Sequence, residues 1–223
     1  MVQIAVVDDT LAFNYDTTHH WQKSWFGTPV VSNWNLNKAL WDTVTILTYS
    51  NCPKVALYLN EKEVGVKYLK DFKDRVIKWK IPYTKGKIKA VGLNGDKQVI
   101  HELETADKAS EVHINREVPD YVGANADVIP LIITVTDNKQ RVNPSAKDKV
   151  TLHIQGDAKI LGVDNGDLAD HEPYQSNSVE VRDGKALIWL KINSRIKDIV
   201  ITANATGLKS ASFLIEKKLK ELF

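Results

Sequence analysis

The chain has 223 residues, a formal net charge of +2 and 26% charged residues. This length suits one large or two small domains, and a hydrophobic fraction of 43% argues against a disordered chain. The near-neutral charge offers no basic field for nucleic acid, and no apolar run approaches the roughly 20 residues of a membrane span. The single cysteine, Cys52, excludes an internal disulfide and a cysteine-based zinc site, and we interpret it as a small buried side chain.

The N-terminal stretch Met1–Thr10 carries two aspartates and lacks a basic start, so it is not predicted to be a signal peptide. Met1 is the only methionine, which suits either a start introduced within a longer gene or a native start.

An aromatic segment follows. Its rings are Tyr15, Trp21, Trp25, Phe26, Trp34 and Trp41. Such rings can stack on sugars, so the segment could be a carbohydrate-binding platform, and His20 could line the same cleft. Packing against a domain explains the same composition, and we favour it because aromatic residues concentrate at buried interfaces. An apolar patch left exposed by the segment could also support a homodimer.

Period-two alternation dominates the rest of the chain, with Ile77, Trp79 and Ile81 on one face of a strand. One buried and one solvated face is typical of antiparallel sheets. The predicted strands are Thr43–Tyr49, Lys54–Leu59, Val76–Ile81, Lys87–Ala90, Lys97–Glu104, Glu111–Ile114, Val128–Thr136, Val150–Ile154, Lys159–Val163, Ala186–Ile192, Ile199–Ala203 and Ser210–Ile215.

Turn sequences separate these strands: Asn94-Gly95-Asp96 predicts a tight hairpin, and Asn60-Glu61-Lys62 predicts another. Helical pattern is confined to Glu216–Phe223, and the missing strand–helix alternation disfavours α/β folds. The polar stretch Thr105–Ser110 indicates a boundary between residues 1–107, an aromatic extension plus a first sandwich, and residues 108–223, a second sandwich. The fold class is therefore predicted to be all-β, with two tandem immunoglobulin-like antiparallel β-sandwiches.

Two groups of polar residues could carry chemistry. Glu102 and Glu104 share one strand face, and we interpret them as solvated rather than as a catalytic carboxyl pair. The densest cluster is Asp164, Asn165, Asp167, Asp170, His171 and Glu172. It could bind calcium through oxygen atoms or contact another domain, but we favour a structural loop because Asn165-Gly166 suits a turn with positive φ. No metal ligand set and no cofactor motif is predicted.

Three ordered stretches carry a resemblance to a known family. They are Thr48–Cys52 with Val55–Asn60 and Gly65; Ile81–Tyr83 with Gly86 and Lys89–Gly92; and Val163–Asp167 with His171–Pro173 and Gly184–Ala186. Together with His20-Trp21 ahead of them, they resemble the β-galactosidase-like enzymes of glycoside hydrolase family 2. The sequence departs from the family pattern at Asn60-Glu61, where Asn-Gly is usual, and in a longer Lys23–Leu40 stretch.

The resemblance implies the domains that follow the family's catalytic β/α barrel, the second being an invasin- or immunoglobulin-like C-terminal domain. In that family two glutamates on the barrel perform catalysis, so the resemblance assigns no catalytic residue to this chain. It implies a non-catalytic accessory role with the barrel as partner, and periplasmic or secreted residence; the alternative is a carbohydrate-binding module built on the aromatic segment. An adhesin-like pair of repeats ranks last, because the two halves share no obvious repeat.

Overall fold

A computed structural model describes residues 1–8, 28–116, 127–194 and 196–216. The chain divides into two compact units, Met1–Thr105 and Ala106–Phe223. Within the described ranges, no helix is long and apolar enough to cross a membrane.

The first unit contains two four-stranded antiparallel sheets. Its strands are β1 (Val2–Val7), β2 (Val30–Val31), β3 (Thr43–Ser50), β4 (Lys54–Leu59), β5 (Lys62–Tyr68), β6 (Val76–Pro82), β7 (Lys87–Asn94) and β8 (Lys97–Glu104), and a 3₁₀ turn spans Leu69–Asp71. One sheet has the order β2-β1-β3-β6 and the other the order β5-β4-β7-β8. Inward-facing side chains of both sheets form one buried core.

The alternation of β6 places Ile77, Trp79 and Ile81 in that core, each at most 3% exposed. Trp79 keeps its indole N–H satisfied there, because Nε1 donates to Thr48 Oγ1 at 3.1 Å. The Lys67 ammonium lies 4.8 Å from the centre of the Trp79 ring, close enough for a cation–π contact.

The second unit repeats the architecture with different strands. They are β9 (Glu111–Arg116), β10 (Val128–Thr136), β11 (Lys149–Gln155), β12 (Ala158–Asp164), β13 (Ser178–Glu180), β14 (Lys185–Ile192), β15 (Ile199–Asn204) and β16 (Ala211–Ile215). The sheet orders are β12-β14-β10-β9 and β13-β11-β15-β16, with antiparallel pairing throughout. This unit has its own core, in which Leu131, Ile133 and Leu190 are fully buried.

The structure confirms the predicted all-β sandwich fold, and each strand predicted from alternation is present. Four strands were not predicted: β1, the two-residue β2, β5 and β13. β1 lies inside a sheet, paired with β3 from Val2–Ser50 to Val6–Ile46. The predicted burial of Cys52 is also confirmed, since its side chain is 4% exposed. The helical pattern at Glu216–Phe223 lies almost wholly outside the described residues.

Candidate functional site

The loop between β12 and β13 holds the polar cluster predicted as a site. In four places a side-chain oxygen accepts the amide hydrogen two residues ahead, the Asx turn that Asp and Asn favour. These bonds run from Gly166 N to Asp164 Oδ1 (2.6 Å), Asp167 N to Asn165 Oδ1 (2.9 Å), Ala169 N to Asp167 Oδ1 (3.0 Å) and Glu172 N to Asp170 Oδ1 (2.8 Å). Gly166 has a φ of 76°, which confirms the turn predicted at Asn165-Gly166.

Further contacts cross the loop or join it to residues in and beside the neighbouring strands. They are Asn165 Nδ2 to Asp170 Oδ2 (2.7 Å) and to the Glu180 carbonyl (3.0 Å), Arg182 Nη1 to Asp167 Oδ1 (2.7 Å), and Lys149 Nζ to Glu172 Oε1 (2.8 Å). The backbone amide of Glu172, helped by the Asn165 amide, holds the pKa of Asp170 below its ordinary value. Most of the loop's polar side chains therefore form hydrogen bonds or ion pairs that hold the loop in shape. This favours the interpretation of the cluster as a structural loop.

The loop offers little room for a ligand. The cleft lined by Asn165, Asp167, Asp170 and Tyr174 has a volume of about 10 Å³, enough for one water molecule and far too small for a sugar ring. In the part of the chain that the structure describes, no group of three or more His, Cys, Asp or Glu side chains is arranged to hold a metal ion. His171 is exposed on the loop surface.

The position of Trp34 contradicts its predicted role in a carbohydrate-binding platform. Its ring is fully buried, so it cannot stack on a sugar as the carbohydrate-platform hypothesis requires. Nε1 donates to the Thr84 carbonyl at 2.9 Å, and the ring meets Tyr83 edge-on with centroids 5.1 Å apart. Trp34 is a core residue of the first unit, as the packing interpretation predicts.

The other candidates of the aromatic segment, His20, Trp21 and Trp25, lie outside the described residues. Trp41 is described and is 72% exposed. Carbohydrate or homodimer contacts by this segment stay predictions.

Glu102 and Glu104 both lie exposed on β8, as predicted for a solvated strand face. Glu102 Oε2 is 3.3 Å from Lys87 Nζ. The carboxylate of Glu102 thus faces a lysine ammonium group, as expected of a solvated strand face rather than of a catalytic carboxyl pair.

Sequence reasoning missed a cleft on the second unit. It lies beside β11 and β12, has a volume of about 590 Å³, and is lined by Leu152, His153, Ile154, Lys159, Ile160, Leu161, Gln175, Ser176 and Asn177. These residues come from three separate stretches of ordinary composition. Only the pairing of the strands brings them together, so no local motif marks them.

Two family models match the chain. Residues 115–213 match the model described as glycoside hydrolase family 2 C-terminal domain 5, and residues 42–100 match a domain of unknown function. The first match covers most of the second unit, including the polar loop and the cleft.

Relatives in sequence and structure agree with this match. A β-galactosidase of Bacteroides ovatus is 25% identical over 211 residues, which cover 91% of this chain and 24% of that protein. A solved structure of a glycosyl hydrolase family 2 member from Bacteroides cellulosilyticus is 27% identical with a TM-score of 0.88, covering 98% of this chain and 28% of that one. A β-glycosidase from Bacteroides vulgatus is 28% identical with a TM-score of 0.74, covering 83% and 24%.

This chain therefore spans about a quarter of the length of these relatives. Its order of motifs, its tandem sandwiches and the matched C-terminal model agree with one another. These comparisons make the chain similar to the C-terminal region of glycoside hydrolase family 2 enzymes, as the motifs in its sequence imply.

Proposed function

We propose that this chain is a non-catalytic accessory segment of a β-galactosidase-like glycosidase and that it braces the enzyme's catalytic barrel. The observation that carries the proposal is the match of residues 115–213 to a C-terminal family 2 domain, in a chain that spans about a quarter of its relatives. The reaction of the longer protein would be retaining hydrolysis of a terminal β-linked sugar, performed by carboxyls on the barrel.

The electrostatics of the described carboxyls support a non-catalytic role. Where their pKa departs from the ordinary value it is lowered, in Glu61, Asp74, Asp137 and Asp170. The ammonium of Lys89 has this effect on the pKa of Glu61, and that of Lys78 has it on the pKa of Asp74. A general acid for glycoside hydrolysis needs the opposite shift, so that its carboxyl is protonated near neutral pH.

The first experiment is a hydrolysis assay of the purified chain with nitrophenyl β-galactoside and nitrophenyl β-glucuronide. We expect no release of nitrophenol above the buffer rate, with the Bacteroides ovatus β-galactosidase as positive control on the galactoside. Turnover that survives repurification and disappears when a carboxyl of this chain is changed to its amide would refute the non-catalytic role.

Bracing is tested in that β-galactosidase, by removing the segment that aligns with this chain. We expect the melting temperature and kcat of the truncated enzyme to fall, because deletion exposes the barrel surface that the segment covers. A chimera that carries the present chain in place of the deleted segment should recover part of both. A truncated enzyme that keeps the melting temperature and activity of the whole would contradict bracing.

A further inference from the structure

A shallow cleft, open to solvent along much of its extent, lies beside β11 and β12. Its volume of about 590 Å³ falls within the range of roughly 300–1,000 Å³ that small-molecule sites occupy. Three short stretches form it: Leu152–Ile154 of β11, Lys159–Leu161 of β12, and Gln175–Asn177 of the loop before β13. We call it the β11–β12 cleft.

Polar side chains in this cleft keep their hydrogen-bonding groups available. Within the described ranges of the chain, the side chains of His153, Lys159, Gln175 and Asn177 make no hydrogen bond or ion pair. The polar loop of the same unit differs, because most of its carboxylates and its Asn165 amide are engaged internally. The cleft therefore holds donors and acceptors that the fold itself does not use.

The one formally charged side chain among the described residues that line the cleft is that of Lys159. Lys159 of β12 lies directly opposite Lys191 of β14, and neither ammonium has an ion-pair partner among the described residues. Like charges facing each other across a strand pair destabilise a sheet, so the fold gains nothing from this arrangement. The cleft lining contains no carboxylate, and the imidazole of His153 adds another N–H donor. These features favour an anionic ligand.

An irregularity in β12 supplies an apolar surface. The register of β12 against β14 shifts between Ile160 and Gly162, which leaves Leu161 as the extra residue of a β-bulge. Bulges at sheet edges redirect a side chain, and β12 is an edge strand. Leu161 is 37% exposed and lines the cleft beside the half-buried Ile160. An apolar wall beside free amides suits a ligand with C–H faces as well as hydroxyl groups.

We propose that the β11–β12 cleft is a non-catalytic subsite for a saccharide that carries a carboxylate, such as a uronic acid unit. Lys159 binds the carboxylate with help from His153, the amides of Gln175 and Asn177 bind hydroxyl groups, and Leu161 contacts the face of the sugar ring. The choice of a saccharide among anionic ligands rests on the proposed function, while the choice of an anion rests on the charges of the cleft alone.

The test is isothermal titration calorimetry of the whole chain at low salt with digalacturonic acid. Galactobiose serves as the neutral saccharide and succinate as the carboxylate without a sugar. We expect saturable binding of the acid disaccharide and at least tenfold weaker binding of the other two. Lys159→Ala should weaken binding about tenfold or more, the scale of a hydrogen bond to a charged group. Lys97→Ala, an exposed lysine in the hairpin of the first unit, is the matched control and should bind as the wild type does.

Each other result overturns the proposal in a defined way. Absence of binding, or binding that Lys159→Ala and Gln175→Ala leave unchanged, removes the site. Equal affinity for galactobiose removes the carboxylate requirement, and equal affinity for succinate removes the saccharide. None of these results changes the hydrolysis or truncation experiments above, so failure of the subsite is distinguishable from failure of the accessory role.

Discussion

At the scale of single residues, the carboxylate of Asp137 in the second unit is both buried and surrounded by hydrogen-bond donors. Its side chain is fully buried at the end of β10. It accepts hydrogen bonds from Arg141 Nε (2.8 Å) and from the backbone amides of Asp107 (2.8 Å), Lys139 (2.8 Å) and Arg141 (3.0 Å). Burial alone would raise the pKa of Asp137, but these bonds outweigh it and hold the pKa well below its ordinary value. The ionised carboxylate thus holds the backbone of Asp107 against the end of β10.

This geometry gives a pH-dependent prediction. Because the pKa of Asp137 is lower in the folded than in the unfolded chain, its stabilising effect is complete above the unfolded pKa of roughly 3.9. It is lost as the pH falls from there through the folded pKa. Asp137→Asn should lower the unfolding free energy of the second unit by about 3 kcal/mol at pH 7, because Arg141 loses its buried counter-ion. The deficit should shrink steadily below pH 4.

Urea denaturation at pH 7, 5, 4 and 3 measures this effect, with Asp183→Asn as the matched control. Asp183 is an exposed turn residue with a φ of 51°, a conformation that Asn also tolerates. Its variant should follow the wild type at each pH. A deficit for Asp137→Asn that stays constant down to pH 3 would mean that the carboxylate charge is not what stabilises the site.

At the scale of elements, the β4–β5 hairpin shows how one turn organises its neighbour. Asn60 and Glu61 form a two-residue turn with φ values of 50° and 62°, although two-residue turns of this kind usually have glycine second. Asn60 Oδ1 accepts the amide hydrogen of Lys87 at 2.8 Å, and Nδ2 donates to the Lys85 carbonyl at 3.0 Å. A Cβ atom added to Gly86 would overlap Asn60 Oδ1. Glycine at 86 therefore makes room for this clamp.

Gly86→Ala should destabilise the first unit by about 2 kcal/mol, since Gly86 has a φ of 123° and its new methyl would displace Asn60. The cost should fall in an Asn60→Gly background, where the overlap is gone and only the backbone strain remains. Gly95→Ala is the matched control, because Gly95 also has positive φ but has open space around it. Chemical denaturation of the single and double variants gives the coupling energy. Equal costs of Gly86→Ala in both backgrounds would contradict the clamp.

Sequence alternation predicts most strands here because each buries one face on a core. β5 was not predicted although Val64, Val66 and Tyr68 alternate along it; in the structure these side chains are 42–47% exposed, so the strand buries little of its apolar surface. β1 has readable alternation, but its partner β3 is distant along the chain and no adjacent hairpin marks it. The burial of Trp34 and the β11–β12 cleft depend on contacts between distant segments, and composition cannot supply them.

At the scale of the whole molecule, two separate cores stabilise the chain. The core of the first unit contains Trp34 and Trp79, and that of the second contains Leu131 and Leu190. No residue belongs to both groups of buried side chains. We propose that each unit is a folding unit in its own right, as the size of each suggests.

Two core substitutions test this proposal by hydrogen exchange of backbone amides, analysed strand by strand. Trp79→Ala should cost the first unit about 3–5 kcal/mol, and Leu190→Ala should cost the second about 2–5 kcal/mol. If each unit opens on its own, Trp79→Ala speeds exchange in β3, β4 and β6 and leaves β10 and β14 protected, whereas Leu190→Ala does the reverse. If the units open only together, either variant accelerates exchange in both by the same factor. Wild-type protection of β6 in Trp79→Ala would further contradict the place of that ring in the first core.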